Sequence, residues 1–210
     1  MSPALIEAIA YHGADPADDP RWSDSGARTR AEYGRWCRHC CGMVCLQMVL
    51  AHRDGHAPTM LELLRGVLPY GGYTEDDHGA IRGLFYAPFA DYVRAEHGLG
   101  ATVHPHLSMR EVPGLLAAGH LVMASVHKEI RRPERPAPGQ GGHLVLITGC
   151  TSGVVHFLNP SGHTASARRA RLPAAVFGSF FGGRGIALAL RERWAAGSPG
   201  QRQRIPLHPG

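Results

Sequence analysis

The sequence predicts an α+β fold in two halves, helices first and an antiparallel sheet after them. Three observations carry this. Up to position 119 the chain offers helix caps and apolar stretches built from good helix formers, and from His120 onward it switches to short β-branched or apolar runs bounded by Gly and Pro. Two of those runs are joined by the hairpin-length link "TSG", which makes them antiparallel neighbours. Finally, 210 residues with 44% hydrophobic and 19% charged content are enough for one domain with a full core.

Taken in order, residues 1–30 are polar and turn-rich and read as an irregular N-terminal arm. The folded domain then spans 31–195, and 196–210 ("SPGQRQRIPLHPG" with its neighbours) reads as a flexible tail. Residues 42–53 are apolar and carry no internal Gly or Pro, which predicts a buried helix starting just after Cys41. "PTMLELLRG" opens a second helix, with Thr59 and Glu62 as a capping box and Gly66 as its stop. "HGAIRGLFYAPFADYVRAEHG" reads as a third helical stretch, broken or kinked at Pro88. A fourth follows in "SMREVPGLLAAGH", from Ser108 and Glu111 to Gly119.

Strands are expected at 120–127, 142–150, 153–160 and 185–190, with a short helix or turn in "LPAAVFGSFF". The Pro-, Gly- and Arg-rich segment 128–142 lies between the first two strands and ends directly at His143. It reads as a lid or substrate loop. No internal repeat is present.

Charge and targeting signals exclude several classes. The net charge is +5, and all the basic residues but Lys128 are arginine. Arginines cluster at 131–135 and 168–171, but no aromatic stacking motif accompanies them. That argues against nucleic acid and leaves an acidic peptide or anionic substrate as a reason for them. The apolar runs are too short to span a bilayer. The N-terminus has no basic stretch ahead of an apolar one, so the expectation is a cytoplasmic protein with reduced thiols.

The most concentrated feature is "WCRHCCGMVCLQMVLAH", with four of the five cysteines within nine positions. A zinc knuckle could use Cys37 and Cys40 with Cys45 or His39, but the second ligand pair of a structural zinc site is missing. A redox Cys-x-x-Cys needs a preceding strand, which "RTRAEYGRW" does not supply. A nucleophile needs a helix N-terminus, where unpaired N–H groups favour a thiolate, and Cys41 has that position. It also needs a histidine and a group to orient it. His143 opens one predicted strand and Asn159 closes its hairpin partner, so the two side chains can meet. Cys37 and Cys45 are expected to fill space.

These residues carry a resemblance. "CCGMVCLQMVLAHRDGH" resembles the nucleophile segment of the C39 and C39-like cysteine peptidases, a branch of the papain-like superfamily. "GGHLVLITGC" with "GVVHFLNPSG" is similar to that family's His strand and Asn-Pro strand, and the likeness extends over residues 33–190. It implies a papain-like fold, with the nucleophile helix packed on the sheet. It also implies Cys41 as nucleophile, His143 as base and Asn159 as the residue that holds the imidazole.

One departure stands out. Six residues before the cysteine, where the family places an oxyanion-hole glutamine, this chain has Arg35. Losing such a donor costs about 100- to 1000-fold in rate, so Arg35 or His39 would have to replace it.

The resemblance therefore implies an enzyme that attacks a peptide amide or thioester carbonyl through a thioester intermediate, with a peptide or acyl-carrier-type substrate and no cofactor or metal. Processing of a leader or modified peptide is the first expectation. Acyl or peptidyl transfer, or cyclisation, on the same triad is the alternative. From another class come a zinc-stabilised module and an inactive peptide-binding module. No ATP-binding or membrane segment follows, which sets the expectation apart from the transporter-fused form of the family.

Overall fold

The computed structural model describes residues 18–190, so residues 1–17 and the tail expected at 196–210 lie outside it. The described part of the arm holds a 3-10 turn at Trp22–Ser25. Asp19 ties the arm down, accepting a 2.6 Å hydrogen bond from the buried Tyr33 hydroxyl.

The helical half comprises α1 (Arg30–Trp36), α2 (Cys41–Asp54), α3 (Met60–Val67) and α4 (Tyr86–His97), with a hairpin of β1 (Tyr73–Glu75) and β2 (Ile81–Gly83) before α4. The second half contains β3 (Ala101–His104), α5 (Val112–Ala117), β4 (His120–Val126), β5 (His143–Thr151) and β6 (Val154–Leu158). It closes with α6 (Ala165–Arg168), β7 (Arg169–Pro173), α7 (Ala174–Phe180) and β8 (Phe181–Ala189). Six strands form one antiparallel sheet in the order β3-β8-β4-β5-β6-β7.

Side-chain alternation along β4 splits the core in two. Leu121 and Met123 join the cluster formed with α2, α3 and α4, whereas Val122, Ala124 and Val126 join Val112, Phe177 and Phe180 on the opposite face. The helix α2 packs on β5 and β4, and α4 packs on β3 and β8. Eight of the fourteen residues of α2 are buried, which matches its apolar, uninterrupted sequence. The helical half followed by an antiparallel sheet is the architecture expected.

Four local expectations are corrected. Gly66 does not end α3. The helix runs on into a 3-10 turn and stops at Gly71, whose φ is 84°. A side chain at position 66 would meet the Tyr92 hydroxyl at 2.5 Å, so Gly66 is there for close packing. Residues 78–85 form no helix. The Asp76 carboxylate accepts from the His78 and Ala80 amides at 3.0 and 2.9 Å, which builds the β1–β2 turn instead. Nor does Pro88 break α4. It falls in the first turn, where its missing N–H has no helical acceptor to lose.

Finally, Ser108 and Glu111 do bond, with the Ser108 hydroxyl and amide both 2.7 Å from Glu111 Oε2. They cap a turn that leads into α5, which itself begins at Val112. Segment 128–142 starts as a 3-10 turn (Lys128–Arg131) with Ile130 buried. Its base is pinned by the Phe180 carbonyl, which accepts from His127 N at 2.8 Å and Gly141 N at 3.2 Å.

Candidate active site

Cys41 is the first residue of α2, and Cys40 is its N-cap. Gly42 follows because space allows nothing larger: a Cβ there would lie 2.6 Å from Leu84 Cδ2 and 3.2 Å from Leu144 Cδ1. The glycine lets the helix start settle directly against β5. Leu144 is paired with Ser125 of β4, but since β6 pairs with β5 only from Leu146 onward, the other edge of its backbone is left to α2. The Cys45 thiol donates to the Leu144 carbonyl at 3.7 Å, and the Leu144 N–H favours negative charge on the Cys41 sulfur.

His143 opens β5 directly after Gly141 and Gly142, both at positive φ (76° and 94°), a turn that side-chain-bearing residues rarely adopt. It is buried, and its Nε2 lies 2.9 Å from Asn159 Oδ1. The Ser161 backbone N–H also donates to Oδ1, at 3.0 Å. An amide N–H can only donate, so Asn159 Oδ1 is fixed as an acceptor and Nε2 must carry the hydrogen. Nδ1 is then the basic nitrogen of the neutral ring. Ser161 Oγ, 3.1 Å from Nε2 and 3.0 Å from Oδ1, braces the pair from one side. Asn159 Nδ2 is buried with no hydrogen-bond partner among the described residues.

Cys41 and His143 line one cleft of about 170 Å³, together with Arg38, His39, Leu84, Tyr86, Ser125, Gly142 and Arg184. The structure thus brings Cys41, His143 and His39 to one cleft, with Asn159 behind the histidine. Arg35 goes elsewhere: its guanidinium pairs with Glu75 at the exposed surface, and it does not line the cleft. Burial lowers the pKa of His39 below the ordinary value of 6.5, so at neutral pH the ring is uncharged and offers one N–H.

The thiols separate by environment. Burial raises the Cys41 pKa above 9.0, opposed by the N–H groups of Leu144, Gly42 and Cys41 itself. The helix start therefore favours the thiolate as expected, but desolvation opposes it and outweighs it. Cys37 is pushed up to about 11, and Cys40 and Cys45 rise well above 9.0, all chiefly by burial. These three are fully enclosed in the core, whereas Cys41 is half-buried at the cleft. Among the described residues no group of three or more His, Cys, Asp or Glu is arranged to hold a metal ion.

Sequence reasoning missed Ser161, Ser125 and Arg184. For Ser161 the signal was its place two residues after Asn159. Arg184 and Ser125 carried none, because only the sheet register brings them beside Gly141. A Cβ on Gly141 would fall 3.1 Å from Arg184 Nη2 and 3.2 Å from Ser125 Oγ.

No family model matches the sequence, and no curated protein matches it. Solved structures do match. One is a protein described as a C39-like peptidase from Bacillus anthracis, at a TM-score of 0.54 and 14% identity, over 73% of this chain and 90% of that one. Another is the peptidase domain of Streptococcus ComA, a bi-functional ABC transporter involved in quorum sensing, at 0.50 and 13% identity, over 72% and 92%. The arrangement of α2 on the antiparallel sheet is the papain-like fold of C39 peptidase domains.

Proposed function

We propose that the chain is a cysteine peptidase that cleaves a peptide amide through a Cys41 thioester. The observation that carries this is the 2.9 Å His143 Nε2–Asn159 Oδ1 bond, which leaves Nδ1 as the base of a ring sharing its cleft with Cys41. The Cys41 sulfur attacks the carbonyl carbon while its proton passes to His143 Nδ1. The oxyanion is held by the Cys41 backbone N–H at the start of α2 and by the neutral His39 ring. His143 then returns the proton to the departing amine, leaving the thioester. A water molecule, deprotonated by Nδ1, hydrolyses the thioester to a carboxylate and restores the thiol.

A thiol that ionises above 9.0 fits this base-assisted attack better than a standing ion pair. The cleft volume corresponds to about six waters, and Leu84 and Tyr86 form part of its wall. It suits an extended backbone with small side chains at the scissile bond, as in a processing site between a leader and its cargo. The five cysteines are all unpaired, which supports a reducing, cytoplasmic setting. No described helix is long and apolar enough to cross a membrane.

Acyl or peptidyl transfer, including cyclisation, is the second reading, because the same thioester serves an amine as well as water. Incubating a peptide library with the protein in H₂¹⁸O and reading products by mass spectrometry tests both. Hydrolysis puts ¹⁸O in each new C-terminus, and transfer gives amide products without it. Activity that survives Cys41→Ala contradicts the reading altogether.

A further inference from the structure

The two arginine runs, which the chemistry at Cys41 does not use, meet in space. Arg131, from the turn after β4, and Arg169 and Arg171, from β7, line one open cavity of about 850 Å³ together with His156 of β6. No residue of this cavity lines the Cys41 cleft, and no Asp or Glu lines it. Arg171 and Arg169 are exposed, and Arg171 makes no ion pair with a described residue. Arg131 is partly engaged, 3.5 Å from Glu129 and 3.3 Å from His163 Nε2, while its Nε is buried with no hydrogen-bond partner among the described residues.

We propose that this cavity binds an extended acidic peptide segment, with carboxylates at alternate positions. Three observations select that ligand. First, the cations are spread along a strand rather than converging on a point. Arg171 stands opposite His156 and Arg169 opposite Leu158, so the two arginines share one face of β7, two residues apart. Their spacing of about 6.6 Å is the repeat of alternate side chains in any extended chain, so a Glu-x-Glu segment places one carboxylate on each, and Arg131 answers from the turn after β4. Second, β7 is an edge strand, and no strand among the described residues pairs with its outer side. That outer side is the position at which an extended peptide adds to a sheet. Third, the only Phe, Tyr or Trp in the lining, Phe157, is buried in the core, which leaves the His156 imidazole as the one ring there that could stack on a base and disfavours a run of stacked bases.

The binding does not depend on Cys41, and it is measured on the full chain carrying Cys41→Ala so that turnover cannot intervene. The probe is a fluorescein-labelled Glu-Ser-Glu-Ser-Glu peptide followed by fluorescence anisotropy, beside its Gln-Ser-Gln-Ser-Gln counterpart. The expected result is that the acidic peptide binds about tenfold tighter or more and weakens as NaCl is raised, since charge-assisted bonds carry the preference. The double variant Arg169→Gln/Arg171→Gln loses about tenfold in affinity with an unchanged melting profile. The control Arg28→Gln/Arg82→Gln removes two exposed charges elsewhere and stays within about twofold. Equal binding of the Gln peptide, no loss in the β7 double variant, or an equal loss in the control overturns the proposal. So does competition by inorganic triphosphate or a single-stranded oligonucleotide at concentrations below those of the unlabelled acidic peptide.

Discussion

Ser161 Oγ lies 3.1 Å from His143 Nε2 and at the same time 3.0 Å from Asn159 Oδ1, so the serine closes a triangle behind the imidazole. The backbone N–H of the same residue fixes the asparagine as acceptor. Ser161→Ala keeps that backbone bond and loses only the hydroxyl. One neutral hydrogen bond is worth about 1 kcal/mol, so kcat should fall about fivefold with KM unchanged. Steady-state kinetics on the substrate found by the library screen checks this, and a changed KM with constant kcat contradicts a positioning role.

The oxyanion site is expected to use His39 and not Arg35. His39→Ala should lower kcat by about 100- to 1000-fold, the usual effect of losing one such donor. Arg35→Ala should stay within about twofold, because it breaks only an exposed ion pair with Glu75. The reverse ranking, measured side by side, would place the donor at the position where the C39 family carries its glutamine.

Desolvation of the Cys41 sulfur predicts a pH profile. Alkylation by neutral iodoacetamide, followed by peptide mapping, should show Cys41 reacting with a midpoint above 9.0, because burial outweighs the helix N–H groups. A plateau of fast alkylation reaching down to pH 5 to 6 would instead reveal a standing thiolate–imidazolium pair.

Stability should follow the buried thiols. In the unfolded chain Cys37 ionises near 9.0, whereas in the folded one it stays protonated to about 11. The unfolded state therefore releases its proton first. The stabilisation is complete below pH 9 and is lost as pH rises from there towards 11. Thermal melts across that window should show Tm falling, less steeply in Cys37→Ala than in the parent chain.

Gly42→Ala tests the seating of the helix start. The new methyl would overlap Leu84 Cδ2 at 2.6 Å and crowd Leu144 Cδ1 at 3.2 Å. Overpacking of this kind costs about 1–3 kcal/mol, and it pushes Cys41 away from the His143 strand. Urea denaturation and turnover should both report the loss.

The sheet core and the triad candidates were legible for physical reasons. Buried strands such as β4 and β5 must be apolar on both faces, so "HLVMASV" and "HLVLIT" stand out as runs. Paired glycines at positive φ mark the turn into His143, and the hairpin link puts that residue beside Asn159. The edge strand β7 was not legible. It alternates arginine with Ala and Leu in "RARLP" and is never more than half-buried, so no apolar run announces it. The β1–β2 hairpin was hidden because its turn rests on side-chain bonds to Asp76 rather than on a two-residue glycine turn. Arg184, from the far side of β4, reaches the cleft only through the pairing of β8 with β4, a neighbour relation that local sequence does not encode.

Acyl-enzyme formation is the sharpest test of Cys41 as nucleophile and His143 as base. The protein is mixed with a p-nitrophenyl ester of a short glycine-terminated peptide, quenched in acid and read by intact-mass spectrometry with peptide mapping. One acyl group is expected, on Cys41, formed far more slowly in His143→Ala and at an intermediate rate in Asn159→Ala. An adduct on Cys150 instead, or one on Cys41 whose rate is indifferent to His143, would contradict these roles.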